Sequence, residues 1–412
     1  MKNILRVLIF SLTSITFAQQ QIDSIQFNGV KKNSESFLRS LILSQPDTVS
    51  DTLLLNQDVK KLKRLAGISH ATYAIQGNKV IFTIEENHTL IPAVNIWSVD
   101  DIFSYKIGVY DYNLFGRNIT FGGFYQYNGE PSFGVNLFAP YLFSNRLGLA
   151  INVQKWSSKE PFYYTEDATN YIYNNLGAEA FLTYEYNFKN NFRLGLNIGK
   201  DEYTYDSGVL NASVEQDITI NKAIIKFLYE YNNLDFNYQY VSGLKNAFTL
   251  QQHFTDNKIQ PSYLAGWNDI MYFKRVGVKG NWASRLRAGL STNSSSVFAP
   301  FAVDNNVNIR GVGNLIDRGT GSLVLNTEYR HTLYDKGGWF ALQGNVFVDA
   351  GTWRHPGGEL DDFVDFGRGQ LYSGLGFRLI HKKIFNAIFR LDYGYSFENN
   401  SGGIVFGIGQ YF

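Results

Sequence analysis

Along most of the chain, hydrophobic and polar side chains alternate one for one. In RLGLAINVQ (146–154), Leu147, Leu149, Ile151 and Val153 fall on one face, with Arg146, Asn152 and Gln154 on the other. NFRLGLNIG (191–199) repeats this, Phe192, Leu194, Leu196 and Ile198 opposing Asn191, Arg193 and Asn197. In FNAIFRLDYGYSF (385–397), Phe389, Leu391, Tyr393 and Tyr395 oppose Arg390, Asp392 and Ser396. A period of two marks β-strands, because successive side chains point to opposite sides. It persists from about Ser98 to Phe412 without a helical interruption.

Two environments impose this pattern: a soluble sheet with one buried face, or a bilayer outside and water inside. Runs of about ten residues suit a tilted spanning strand. About fifteen such segments are distinct, and a weaker one lies within 155–175. Single-chain bacterial barrels favour even counts. The pattern therefore predicts a mainly β protein, a 16-stranded antiparallel transmembrane β-barrel over residues 91–412. On that reading Arg390 and Asp392 face a wet lumen and stay hydrated.

Residues 19–90 read differently. IDSIQFNGV (22–30) alternates Ile25 and Phe27 with polar neighbours, as a strand does. A helix follows, capped by Asn33 or Ser34, with Phe37, Leu38, Leu41 and Ile42 on one face. A second starts near Ser50 or Asp51 and carries Val59, Leu62 and Leu65, with Gly67 in the place of a C-terminal glycine. HATYAIQ (70–76) and KVIFTIEE (79–86) form a hairpin across Gly77-Asn78. The order predicts one small α+β domain. Ahead of it, Lys2, the apolar run Ile4 to Phe17 and Ala18 before Gln19 read as a signal peptide over residues 1–18. No later run is apolar enough for a spanning helix, so a membrane segment has to be a barrel.

Composition removes alternatives. The 412 residues carry a formal charge of +1, which gives no footprint for nucleic acid. The absence of cysteine excludes disulfides, thiolate metal sites and a cysteine-anchored lipoprotein. His70, His88, His253, His331, His355 and His381 are scattered, with no HExxH spacing and no GxSxG elsewhere. Asp361, Asp362 and Asp365 read as a solvated loop rather than a calcium site. No enzyme activity, metal or cofactor is expected.

Several phrases resemble the BamA/TamA outer-membrane assembly superfamily. The strand ending at Gly29, LKRLAGI at a helix end and IFTIEEN before LIP resemble its periplasmic POTRA module. VYDYNLFGRNITFGG (109–123) resembles the family's hairpin between the first two barrel strands, with Asp111, Asn113, Gly116 and Arg117 in place and Asn118 where a glycine is usual. NLFAPYLF (136–143) resembles another family segment. IVFGIGQYF (404–412) resembles the closing strand, with Ile404, Phe406, Ile408 and Phe412 on one face and Gln410 off pattern.

VNIRGVGN (307–314) lies in a long connection, 292–320, followed by five strand-like segments. It resembles the family's sixth extracellular loop, whose Arg-Gly tip enters the lumen. Val312 replaces the usual aromatic, which implies looser packing there. Parity turns Asn326 and Glu328 of SLVLNTEYR inward, and likewise Asn345, Phe347 and Asp349 of QGNVFVDAG. By spacing alone Arg310, Glu328 and Asp349 are equally ordinary hydrated charges. LNTEYR and FVDAGTW resemble the family's acidic segments, which implies a latch: Arg310, beside Gly311, contacting Asp349 with Glu328 close by.

The resemblance implies a non-enzymatic assembly, insertion or translocation factor in a Gram-negative outer membrane, with its N-terminal domain in the periplasm. Its partners would be the lipid bilayer, unfolded outer-membrane or secreted clients, and accessory periplasmic or lipoprotein components. A seam between a first strand at about 104–111 and the last at 404–412, softened by Gly407 and Gly409, would accept a client strand. A dedicated exporter of one partner and a passive porin are the alternatives.

Overall fold

Local chemistry sets the N-terminal unit. The Ser34 hydroxyl accepts from the Phe37 N–H and opens the helix Glu35–Leu41. Asp51 accepts from the Leu53 N–H and opens Thr52–Leu62. That helix ends before Gly67, which is not its terminator. Gly67 serves close approach instead: a Cβ there would lie 2.4 Å from side-chain atoms of both Asn33 and Asn113. Strands Ser24–Asn28, Lys79–Glu86 and Ile68–Gln76 form one sheet in that spatial order, the first pair parallel and the second antiparallel. Phe37, Leu38, Leu41, Leu55, Leu62, Val80 and Phe82 form its core.

The computed structural model describes residues 21–99, 102–163, 168–210, 215–305, 307–313, 316–365, 367, 369–385 and 387–412. The expected signal segment, 1–18, lies outside them.

Among the described residues from Leu90 onward, the chain builds a large antiparallel sheet of seventeen strands rather than the sixteen expected: sixteen are long and one, Asp235–Asn237, has three residues. The long strands pair in chain order. The first is Leu90–Val99, so the expected start at 104–111 is corrected: Ile102–Leu114 is the second strand. LIPAVNIW hides its strand character because both faces are largely apolar and Pro92 interrupts the run. Proline lacks the N–H a central strand needs and is confined to edges and strand starts. The strand order sets Ser401–Ile408 beside Leu90–Val99. From Leu90–Val99 round to Ser401–Ile408, consecutive long strands are joined by residue-by-residue ladders.

The faces follow parity. Leu194, Leu196, Ile198, Phe389, Leu391, Ile404, Phe406 and Ile408 are exposed on the outside, while Arg390 and Asp392 are buried inside. No helix among the described residues is long and apolar enough to cross a membrane. Leu147–Tyr163, Ala168–Asn187 and Asn190–Gly208 run 17, 20 and 19 residues, well beyond the roughly 9–11 that span a bilayer. Their far ends enclose an aromatic cluster, Phe162, Tyr171 and Tyr203, which receives Phe298 from the long connection.

Candidate functional site

The connection between Gly280–Ser291 and Gly321–Lys336 folds into the sheet's concave side. Phe298 anchors its root, and Phe301–Val303 pairs with Asp317–Gly319 as a short ribbon. Arg318 of that ribbon forms an ion pair with Glu160 on the opposite wall. Below the ribbon the tip turns tightly. Gly311 takes φ 95° and Gly313 φ 112°, conformations open to glycine at little cost. The Gly311 N–H donates to the Asn305 side-chain oxygen at 2.7 Å.

Arg310 is wholly buried and makes a fork-to-fork contact with Asp349: Nε to Oδ2 at 2.8 Å and Nη2 to Oδ1 at 2.9 Å. Its own backbone N–H also donates to Asp349 Oδ2 at 3.0 Å. Nη1 donates to Glu328, so one guanidinium bridges carboxylates on adjacent strands. The Phe347 ring centroid lies 3.7 Å from the Arg310 guanidinium carbon and that of Tyr411 4.6 Å away. Planar, permanently charged guanidinium suits a bidentate, stacked site in a way that lysine does not.

The structure thus brings Arg310, Gly311, Glu328 and Asp349 together, and adds residues the sequence reading did not place there. Arg330 pairs with Glu328, and Arg378 pairs with Asp392 at 2.7 Å. Asp392 also lies 3.8 Å from Arg310 and 3.7 Å from Arg390. Arg390 and Asp392 are therefore part of a buried charge network rather than open lumen groups, with Arg310 of the inserted loop within reach of Asp392. Val312 corrects a second expectation. It is buried with Ile309, Val324, Trp353 and Tyr372, so the tip packs firmly without an aromatic there.

The hairpin motif lies between the second and third strands, not the first two. Asp111 accepts from the Thr89 hydroxyl and the Asn113 N–H, both at 2.9 Å. Asn113 donates to Asn33 of the N-terminal unit at 2.9 Å, and the Gly116 carbonyl accepts from the Ser34 N–H at 3.0 Å. A Cβ on Gly116, at φ 66°, would lie 2.2 Å from the Lys32 carbonyl oxygen. Arg117 is exposed. The motif is more than a tight turn; it is the barrel side of a junction.

The rest of that junction was invisible in the sequence. Lys61 pairs with Glu185 at 2.6 Å and Lys63 with Asp235 at 2.8 Å. Arg64 donates to the carbonyls of Phe188 and Leu234. Tyr238 stacks on His70 and bonds Glu85. The end of the helix Thr52–Leu62 therefore docks on the turns at one mouth of the sheet. The signal was there as LKRL, a basic run after a helix, but nothing in it names its acidic partners.

Glu86 organises the approach to the junction. Its carboxylate accepts the backbone N–H groups of Lys31, Lys32 and Asn33 and the Asn33 amide, at 2.9–3.0 Å. Partial burial opposes the charge, but these donors outweigh it and hold the carboxyl below the usual range. With the folded value below the unfolded one, the contribution is full above the ordinary glutamate pKa of about 4.3. It is lost as pH falls through the folded value. Glu86→Gln is expected to weaken the segment 31–33 by about 1.5–3 kcal/mol. Hydrogen exchange of those amides in the whole protein at pH 7 reads this out; unchanged protection would show that the carboxylate is dispensable.

The last four residues overturn an expectation. Phe412 does not continue the outward face of Ile404, Phe406 and Ile408. The chain turns at Gly409, φ 89°, and carries Tyr411 and Phe412 inside. Gly407 faces inward against Arg390, where a Cβ would lie 2.6 Å from its guanidinium.

Comparison with known proteins places this geometry. Residues 113–412 match the Omp85 superfamily domain. No curated protein matches the chain. Among solved structures, BamA from Haemophilus ducreyi lacking POTRA domains 1–3 is similar at TM-score 0.55 and 16% identity, over 95% of this chain and 83% of that one. CdiB from Acinetobacter baumannii gives 0.59 and 12%, over 94% and 73%. CdiB from Escherichia coli gives 0.60 and 9%, over the same shares. At these identities the likeness is one of fold.

Proposed function

The chain belongs to the Omp85 superfamily, and from that premise we propose that it is a non-enzymatic factor for inserting proteins into, or moving them across, a Gram-negative outer membrane. On this reading residues 91–412 form the membrane barrel, and 19–90 are a POTRA-like periplasmic domain docked on its mouth. Client polypeptides are its substrates, with the bilayer as its medium.

The observation that carries the proposal is the seam where the last strand, Ser401–Ile408, lies beside the first, Leu90–Val99, with Pro92 in the opening strand and Gly402, Gly403 and Gly407 in the closing one. An unpaired strand edge presents N–H and C=O groups that a client strand can extend. Pro92 interrupts donation along the opening strand and keeps self-pairing weak. The loop held by Arg310 occupies the concave side, which speaks against an open porin.

The test is reconstitution. Proteoliposomes carrying the protein are expected to speed the folding of a urea-unfolded outer-membrane barrel at least tenfold over empty liposomes. A disulfide engineered between the two seam strands should abolish the gain. Equal rates with and without the protein would overturn the insertion reading. Depletion in cells separates the variants: many outer-membrane proteins fall if assembly is general, one secreted protein if export is dedicated. Large steady currents in planar bilayers would favour the porin instead.

A further inference from the structure

The inward turn at Gly409 sends residues 409–412 across the lumen. The Gly409 N–H still donates to the Ile388 carbonyl at 2.8 Å, the final rung of the closing hairpin. Beyond it Tyr411 is buried, and its hydroxyl donates to the Asn305 carbonyl of the inserted loop at 3.1 Å. Its ring lies 4.6 Å from the guanidinium of Arg310, 4.9 Å from that of Arg390 and 5.7 Å from that of Arg285. Such rings attract guanidinium through their negative faces, most strongly away from water. Phe412 ends in an apolar cluster with Leu234, Phe273 and Ala283, beside Phe236 and Met271. Phe273 and Ala283 sit on the strands Tyr263–Val276 and Gly280–Ser291, well round the wall from Ser401–Ile408. The tail is thus a strut from the closing strand to a distant part of the wall, and it touches the loop tip on the way.

We propose that Tyr411 is a positioning residue that couples the closing strand to the Arg310 loop. While the tail is seated, its ring and hydroxyl hold the tip at Arg310 and Asn305. When the closing strand swings away from the opening strand, it withdraws Tyr411 and frees the loop. The coupling rests on the seam reading above only for what moves the tail; the contact itself is independent of any client. Linkage makes it reciprocal: whatever releases the loop loosens the tail by the same factor.

The absence of cysteine allows background-free labelling. Val312→Cys places a thiol at a buried site on the loop tip. In the full-length folded protein in liposomes, maleimide should label it slowly. Adding Tyr411→Leu, which keeps bulk but removes the aromatic face, is expected to raise the rate at least tenfold. Tyr411→Phe, which keeps the ring, should stay within about threefold of the parent, a factor at the low end of what one neutral hydrogen bond contributes. Conversely, Gln410→Cys should label faster when Arg310→Ala is added, by a similar factor. A heat-modifiable folded band is required of every variant; should Tyr411→Leu fail to show one, Tyr411→Met replaces it. Parent-like labelling in the folded Leu or Met variant would overturn the proposal. So would a Phe variant as fast as Leu, because the ring would then contribute nothing. The assay contains no client, so failure of the insertion experiment leaves its result readable.

Discussion

Arg310→Ala is expected to destabilise the folded protein by about 3–5 kcal/mol, the cost of removing one partner from a buried charge pair. The argument is one of what remains behind. Asp349 is wholly buried, and among the described residues its ion pair is with Arg310 alone. Truncation leaves that carboxylate desolvated, with the loop's own N–H as its remaining donor. Glu328 suffers less, since Arg330 still pairs with it and Arg378 lies 3.6 Å away. The two acids should therefore respond differently. Asp349→Ala in the Arg310→Ala background is expected to restore part of the loss, because it removes the stranded charge. The corresponding Glu328→Ala should worsen matters by stranding Arg330. Arg310→Lys should recover little, as an ammonium cannot match the carboxylate fork. Urea unfolding in detergent, followed by heat-modifiability, measures each value. Parent-like midpoints in Arg310→Ala and Asp349→Ala alike would show that the buried network carries no stability.

The two acids that Arg310 meets could be placed on the inner face because a strand's parity is a strong constraint. Once Leu323, Leu325, Val346 and Val348 are assigned outward, Glu328 and Asp349 have to point inward; their pairing with Arg310 followed from the family resemblance, not from parity. Parity fails where the chain stops being a wall. Parity would send Phe412 outward with Ile404, Phe406 and Ile408, yet a positive φ at Gly409 turns the chain and carries Tyr411 and Phe412 both inside. A glycine read as a soft place in a strand was a corner. The opening strand failed for the opposite reason: with apolar residues on both faces and Pro92 within it, there was no alternation to detect. The docking of Lys61 and Lys63 on Glu185 and Asp235 joins positions over a hundred residues apart. Charge type is legible in a sequence, but pairing at that separation is fixed only by the fold.

The same reasoning isolates shape from charge at the loop tip. Gly394→Ala, a change that in an ordinary strand costs nothing and tends to stabilise, is here expected to destabilise by about 1–3 kcal/mol as an overpacked site. Gly394 lies on the penultimate strand facing the loop, and a Cβ there would sit 2.1 Å from the Arg310 carbonyl oxygen. Its partner is equally intolerant, since a Cβ on Gly311 would lie 2.5 Å from the Gly394 carbonyl oxygen. Backbone meets backbone with no room for a methyl group on either side. Gly344, on the strand Phe340–Arg354 and away from the loop, supplies the control: its added Cβ would meet Leu333 at an ordinary 3.4 Å, so Gly344→Ala should be neutral or slightly stabilising. If the glycine bed works by letting Arg310 reach Asp349, then Gly394→Ala and Arg310→Ala act on one interaction, and their combined effect falls short of their sum. Full additivity in urea unfolding would mean that the bed holds the loop independently of the arginine. A parent-like Gly394→Ala would mean that the tip does not approach this strand at all, and the latch would then lose its geometric basis along with its charge partner.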